Sequence, residues 1–338
     1  MLHFGANPMR VLVTGGAGFI GGAVARAYLE RGAAVIVVDS LATGRREWVP
    51  PGAHFYLMDV GSPLLERVFE AHGPFDVVSH HAALKDVRKA LADPGPDAQA
   101  NILGTLNVLR CAAGHGTGRF VFPSSAAIYG DAAQRPTPET APIDPISPYG
   151  ISKAAAEAYC AYFARHRGVP AVALRYGTVY GPQATEESEA GAITAFARRM
   201  LAGRRPVIFG DGEQTRDFVH VDDVVRAHLL AAERAPTPWA TYNVATGTEA
   251  SLNEVYRLLA ASTGYAGTPE YESPRPGEVR RNAQDVSLVR RELGWSPRIG
   301  LGEGLAQVVA AYRADTAEPA GAAGADPRTG RPVAAHLR

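Results

Sequence analysis

The fold class that this 338-residue sequence predicts is α/β, with a doubly wound parallel sheet. Three observations predict it. Apolar runs recur at 10–14, which is β-branched, 34–38, 54–58, 76–79, 119–123 and 171–175, with helical stretches between them. A glycine-rich turn, Gly16-Ala17-Gly18-Phe19-Ile20-Gly21, follows the first run and opens the first helical stretch. An acid, Asp39, closes the second run 18 residues beyond Gly21. Apolar runs alternating with helices argue for strands buried on both faces. Right-handed crossovers then wind helices onto both sides of the sheet.

Each element follows from its local pattern. The run at 10–14 is the first strand, ended by glycines, and 19–31 has helical spacing. Strands at 34–38, 54–58 and 76–79 follow, then a helix over 101–113, a strand at 119–123, a helix over 149–166 and a strand at 171–175. Beyond Arg175 the texture changes. Residues 177–189 are rich in Gly, Pro and charge and read as a loop; 190–203 reads as a helix and 206–209 as a short strand. A helix is expected over 221–235 and a strand over 241–245; 251–314 reads as mostly helical, with loops over 264–282. The expected organisation is a dinucleotide-binding domain over 9–175, rejoined by 216–245, and a smaller mixed α/β substrate-binding lobe from 176–215 and 246–314. Residues 315–338, dominated by Ala, Gly, Pro and Arg, are expected to be disordered.

Composition excludes several classes. Lys plus Arg and Asp plus Glu number 34 each, so nothing draws the chain as a whole to nucleic acid or an anionic membrane. No apolar stretch reaches the ~18 residues that a membrane span needs, and residues 1–9 lack a signal-peptide pattern. The two cysteines, Cys111 and Cys160, read as reduced, buried thiols of a cytoplasmic protein.

The glycine turn has the context that gives G-x-G-x-x-G its meaning, a strand before it and a helix after it. Glycine lets the backbone approach a pyrophosphate, and the helix N-terminus offers unpaired N–H groups. Asp39 suits the adenosine ribose hydroxyls and repels a 2′-phosphate, which favours NAD. Arg45 and Arg46 nearby are the residues that would serve NADP instead. Asp59 follows the third strand, where such folds meet the adenine.

Tyr149 and Lys153 are four apart and share a helical face. A phenol has a pKa of ~10, so it is a poor base at neutral pH. Lowering it by ~3 units requires ~4 kcal/mol of differential stabilisation, which an ammonium and a positive nicotinamide ring can supply. Ser125, preceded by Ser124, can hydrogen-bond the same substrate oxygen. Alone, Y-x-x-x-K arises by chance in many helices. With the dinucleotide turn and the paired serines it becomes specific.

These motifs, together with Asp39 to Gly44, His81-Ala82-Ala83, Asn101 to Thr105, Tyr180-Gly181-Pro182, Arg216 to Asp223 and Arg275 to Glu278, resemble the extended short-chain dehydrogenase/reductase superfamily. Within it the chain is similar to the NAD-dependent nucleotide-sugar epimerase/dehydratase branch over about residues 10–312. The resemblance implies a Rossmann-type domain and assigns roles. Gly15, Gly18, Phe19, Ile20 and Gly21 would bind the pyrophosphate. Asp39, Leu41, Thr43 and Gly44 would surround the ribose, and Asp59 with Val60 the adenine. Ala82, Lys85 and Asn101 would lie along the cofactor, and Tyr176 beside the nicotinamide. Tyr149, Lys153 and Ser125 would be catalytic, with Lys153 also on the nicotinamide ribose. Arg216 and Arg275 would clamp the substrate diphosphate. Phe209 would stack on the uracil, Glu278 would meet the substrate ribose and Thr178 the substrate. The family also implies a homodimer through helices near 97–113 and 147–168.

Residues 126–127 narrow the reaction. Sugar dehydratases of this branch carry an Asp-Glu pair there, and 3,5-epimerising relatives a cysteine nearby; this chain has Ala126-Ala127. The resemblance therefore implies 4-epimerisation of a UDP-hexose, by oxidation to a 4-keto sugar and reduction on the opposite face. Three departures leave the sugar open: Thr178 replaces the usual Asn, Gly177 a common Phe, and Asn282 a frequent Tyr. UDP-GlcNAc and a UDP-hexuronate stand beside UDP-glucose. A one-way 4-ketoreductase or dehydrogenase and a nucleotide-sensing regulator are the other readings.

Overall fold

Alternating side chains of one strand divide the protein's first two cores. The computed structural model describes residues 8–186, 190–236, 238–274 and 279–317. Its first half runs β1 (Arg10–Thr14), α1 (Phe19–Glu30), β2 (Ala34–Asp39), β3 (His54–Leu57), α2 (Leu65–His72) and β4 (Val77–His80). Then come α3 (Val87–Ala92), α4 (Pro94–Ala98), a π-helical turn (Gln99–Leu103), α5 (Gly104–Gly114), β5 (Arg119–Ser125), α6 (Pro148–His166) and β6 (Ala171–Tyr176). The second half adds β7 (Thr178–Tyr180), α7 (Gly191–Leu201), β8 (Val207–Phe209), β9 (Thr215–Arg216), β10 (Phe218–His220), α8 (Val221–Arg234) and β11 (Trp239–Val244). It ends with β12 (Ala250–Ser251), α9 (Leu252–Thr263), β13 (Glu270–Glu272), α10 (Ser287–Leu293) and α11 (Leu301–Ala317).

Seven strands form a parallel sheet in the order β11-β6-β5-β4-β1-β2-β3. Val11 and Val13 of β1 face a core shared with α1 and α8, whereas Leu12 faces the opposite core, shared with α2, α5 and α6. β2 repeats the pattern, with Val35 and Val37 on one side and Ile36 and Val38 on the other. This two-sided burial is the arrangement that the continuous apolar runs imply. α6 starts sharply because Ser147 caps it, accepting from Gly150 N at 3.1 Å, and Pro148 follows.

A third core, around Ile193, Phe196, Met200, Ile208, Leu259, Leu305 and Tyr312, builds the smaller lobe. Three strand pairs edge it: β7 with β10, β8 with β13, and β9 with β12. Two of these strands lie where loops are expected, β7 within 177–189 and β13 within 264–282. Runs of three residues are too short to show a period, and pairing with distant partners creates them. The expected lobe boundary also shifts. Val286, Val289, Leu293 and Trp295 pack into the first core, so α10 and the turn after it return to the half that holds the seven-stranded sheet. α11 continues to Ala317, past the expected start of the tail, and residues 318–338 lie outside the described residues. Among the described residues no helix is long and apolar enough to cross a membrane.

Trp295 anchors that return. Its ring is fully buried and its indole N–H donates to Asp223 O at 3.0 Å. The Asp223 carboxylate accepts from Arg298 N and Ile299 N at 2.9 Å each and from the Arg226 guanidinium at 2.6 Å. Trp295→Ala should therefore lower unfolding stability by about 3–5 kcal/mol, read as a reduced denaturation midpoint. A loss under 1 kcal/mol would show that the segment is not anchored there.

Candidate active site

The strand order reverses between β1 and β4, where the chain leaves β1 for β2 on one side and later returns on the other. Ligands of open α/β sheets bind outside the strand ends at such a point. A cavity of about 390 Å³ opens here.

Its floor is the turn after β1. Gly15 has φ +69°, and a Cβ there would lie 2.5 Å from the backbone of His81 and Ala82. A Cβ on Gly21 would lie 2.2 Å from Gly15 O. No larger residue fits either position. Gly18, Phe19, Ile20 and Gly21 line the cavity, and no side chain caps the N-terminus of α1. Its first N–H groups are therefore available to an anion.

One end of the cavity carries Asp39, Thr43, Gly44, Asp59 and Val60, all lining it. Ala17 N (3.0 Å) and Leu41 N (2.8 Å) each donate to one oxygen of the Asp39 carboxylate. Each oxygen retains a further lone pair for ribose hydroxyls. Leu41 itself, with φ 57°, does not line the cavity; its side chain packs on the first core, and its part is to fix Asp39. Arg45 and Arg46 stack on Trp48 and Phe55 at 5.0 and 4.5 Å and are not in the lining.

At the other end α6 delivers Tyr149 and Lys153, both buried and both lining the cavity with Ala82, Lys85 and Tyr176. Lys153 Nζ donates to Pro123 O at 2.7 Å and lies 4.8 Å from the Phe122 ring centre. Ser125 stands apart from the lining. Its Oγ accepts from Ala127 N at 3.1 Å, capping a short 3₁₀ turn (Ala126–Tyr129). Its neighbour Ser124 does line the cavity, and its buried Oγ has no hydrogen-bond partner among the described residues. That orphaned hydroxyl fits a site completed by a ligand.

Asn101 also lies behind the lining. It accepts from Leu84 N (2.7 Å) and donates to Leu84 O (2.8 Å), Asp97 Oδ2 (2.6 Å) and Ser152 Oγ (3.0 Å). It shapes the wall through Leu84. A second support is a directed chain. The Thr105 hydroxyl donates to Asn101 O (2.6 Å), so His80 Nε2 must donate to Thr105 (2.9 Å) and Nδ1 must accept from Thr14 (2.6 Å). Burial, with Lys153 adding to it, pushes His80 down to about 3, and burial likewise holds His81 well below its ordinary value. Both imidazoles are neutral. Polar residues inside the apolar 76–79 run and just after it were the signal for this chain.

Three of the residues expected to meet a substrate, Thr178, Phe209 and Arg216, are not in the lining of this cavity. Thr178 is buried on β7, its N–H donating to Asp217 O at 2.8 Å. Phe209 ends β8, its carbonyl accepting from Gln214 Nε2 at 2.6 Å. Arg216 Nη1 donates to Thr215 O (2.8 Å) and Val279 O (2.7 Å). Arg275 and Glu278 lie outside the described residues. The arrangement can hold a dinucleotide, with its phosphates on α1 and a ribose on Asp39, and bring a phenol and an ammonium to its far end.

Comparison with known proteins agrees. The model of the NAD dependent epimerase/dehydratase family matches residues 11–245. UDP-glucose 4-epimerase of Mycolicibacterium smegmatis is 36% identical over 311 residues, covering 90% of this chain and 99% of that protein. The crystal structure of UDP-glucose 4-epimerase with UDP-glucose from Thermotoga maritima is 42% identical, with a TM-score of 0.88 over 91% of this chain and 100% of that one. The Thermus thermophilus UDP-glucose 4-epimerase in complex with NAD is 40% identical, with a TM-score of 0.84 over 90% and 99%. With the glycine turn, Asp39 and the Tyr149–Lys153 pair on one cavity, the chain belongs to the NAD-dependent epimerase/dehydratase family.

Proposed function

We propose that this protein is an NAD-dependent UDP-hexose 4-epimerase of the UDP-glucose 4-epimerase type. The observation that carries the reading is the shared cavity: the glycine turn and Asp39 at one end, Tyr149 and Lys153 at the other. When bound, NAD supplies the hydride chemistry at C4 of the sugar. Gly15, Gly18, Phe19, Ile20 and Gly21 hold its pyrophosphate; Asp39, Leu41, Thr43 and Gly44 its ribose, Leu41 by fixing Asp39; and Asp59 and Val60 its adenine. Ala82, Lys85 and Tyr176 flank its remaining length, and Asn101 acts from behind through Leu84.

Tyr149 takes the proton from the 4-hydroxyl and later returns it. Lys153, one turn along the same helix, stabilises the phenolate and orients the nicotinamide ribose. Ser125 orients the sugar oxygen. Thr178, Phe209, Arg216, Arg275 and Glu278 hold the nucleotide diphosphate and its base from the smaller lobe. Ala126 and Ala127 carry no group that moves protons, which supports return of the keto sugar over elimination of water. UDP-glucose is the first substrate expected, with the N-acetyl and uronate sugars as the alternatives.

A cytoplasmic homodimer completes the reading. Ile151 (54% exposed), Tyr159 (41%) and Tyr162 (50%) of α6 lie beside Leu103 (50%) ahead of α5, an apolar surface that a second copy would cover. Cys111 and Cys160 are buried free thiols, in keeping with a reducing compartment. Ile151→Glu with Tyr162→Glu should turn the dimer into a monomer in sedimentation velocity; an unchanged sedimentation coefficient would sink this interface.

Incubated with UDP-glucose and no added cofactor, the purified protein should form UDP-galactose, detected by proton NMR. Turnover that requires continuous supply of NADH would point to a one-way reductase instead. Tyr149→Phe should lower kcat by about 10²–10⁴ while the NAD content per chain stays unchanged. Retention of more than a tenth of the rate would remove Tyr149 from the chemistry.

A further inference from the structure

Directly behind the chemical end of the cavity lies a buried ion pair. Arg175 Nε donates to both Glu157 oxygens at 3.2 Å, and Nη2 donates to Oε1 at 2.5 Å. Both side chains are 4–5% exposed. Arg175 Nη1 donates to the Tyr129 hydroxyl (2.8 Å) and Glu139 O (3.0 Å), and Tyr129 donates onward to Asn243 Oδ1 (2.8 Å). The guanidinium also lies 5.1 Å from the Tyr129 ring centre. The pair joins the two elements that present the site. Glu157 is one turn beyond Lys153 on α6, and Arg175 directly precedes Tyr176 on β6.

We propose that Glu157 and Arg175 are positioning residues that set the proton affinity of Tyr149: Arg175 cancels the Glu157 charge, so the Lys153 ammonium is not countered from its own helix. The proposal rests on Tyr149 being the acid/base group. Tyr149 and Glu157 are eight residues apart, ~12 Å along a helix. A unit charge at ~12 Å in a medium of effective dielectric constant ~20 moves a pKa by about one unit.

Lys85, which lines the same end of the cavity, is unchanged in every variant, and the surroundings leave few other charges to mask the effect. Burial keeps the Cys160 thiol, which senses both Glu157 and Lys153, well above its ordinary value and neutral. His80 and His81, on the β4 side of Lys153, are neutral as well. Asp97, from α4, is held up by burial and also feels Lys153. Around the pair itself, burial pushes the Tyr129 phenol up to about 12, and burial also raises Glu139.

The test is the pH profile of the holoenzyme. Proton removal by Tyr149 requires phenolate, so its pKa forms the acidic limb. Glu157→Gln leaves a buried guanidinium that cannot deprotonate; the limb moves down by about one pH unit. One unit below the wild-type midpoint, the variant then reaches about five times the wild-type fraction of its own plateau rate. Arg175→Met leaves an uncompensated carboxylate, and the limb moves up. The double variant, with neither charge, returns to the wild-type limb. If Glu157→Gln does not accumulate as folded holoenzyme, Arg175→Met carries the test with the opposite sign. A phenolate absorbance titration, taken as the difference from the same variant carrying Tyr149→Phe, follows the same pKa without turnover. Lower rates with no displacement of limb or titration would overturn the proposal and leave a purely structural clamp. An active Tyr149→Phe would instead remove the reading on which it rests.

Discussion

Gly15 passes the backbone of His81 and Ala82 too closely for any side chain to stand between them, and the site depends on that passage. It brings the turn after β1 against the chain leaving β4, at the point where the strand order reverses. The strands are already locked in register, from Val11 opposite Val77 to Thr14 opposite His80. Ala82 N adds a long hydrogen bond to Thr14 Oγ1, at 3.4 Å. The glycine turn and the Ala82–Leu84 wall therefore behave as one surface. A cofactor that spans them meets groups that do not need to move toward each other.

Buried polar chains hold this surface, and their stability comes from being complete. Thr14, His80, Thr105 and the Asn101 carbonyl form a chain in which every proton has one direction. A half-satisfied chain of this kind would cost more than an apolar core. Ser124 and Tyr176 differ: both line the cavity, and each has a buried hydroxyl with no hydrogen-bond partner among the described residues. The satisfied groups shape the cavity, and these two hydroxyls belong to residues of its wall.

The dinucleotide end was legible because its information is local. Glycine spacing, the strand before it and the acid at the end of β2 all lie within 30 residues of one another. The Tyr149–Lys153 pair was legible for the same reason, since helical spacing alone puts both on one face. Other features depend on partners remote in sequence. Asn101 reads as a cofactor contact until its amide is seen bound to the Leu84 backbone. Adjacent strand residues point to opposite faces, and two consecutive serines do not say which one faces the cavity. The apolar spacing of α10 announces a buried helix without saying which core receives it. Leu41 shows the same limit: its backbone, and not its side chain, supports the Asp39 carboxylate.

The way the chain is threaded has a consequence for how the protein is made. The dinucleotide-binding core is completed by Val286 to Trp295, and the smaller core by Leu305 to Tyr312. Neither half can close before residues 286–312 have emerged from the ribosome. The glycine turn waits on α8, some two hundred positions later, for the helix packing that steadies α1. The two halves mature together, and a nascent chain interrupted before 286–312 presents open apolar faces in both at once.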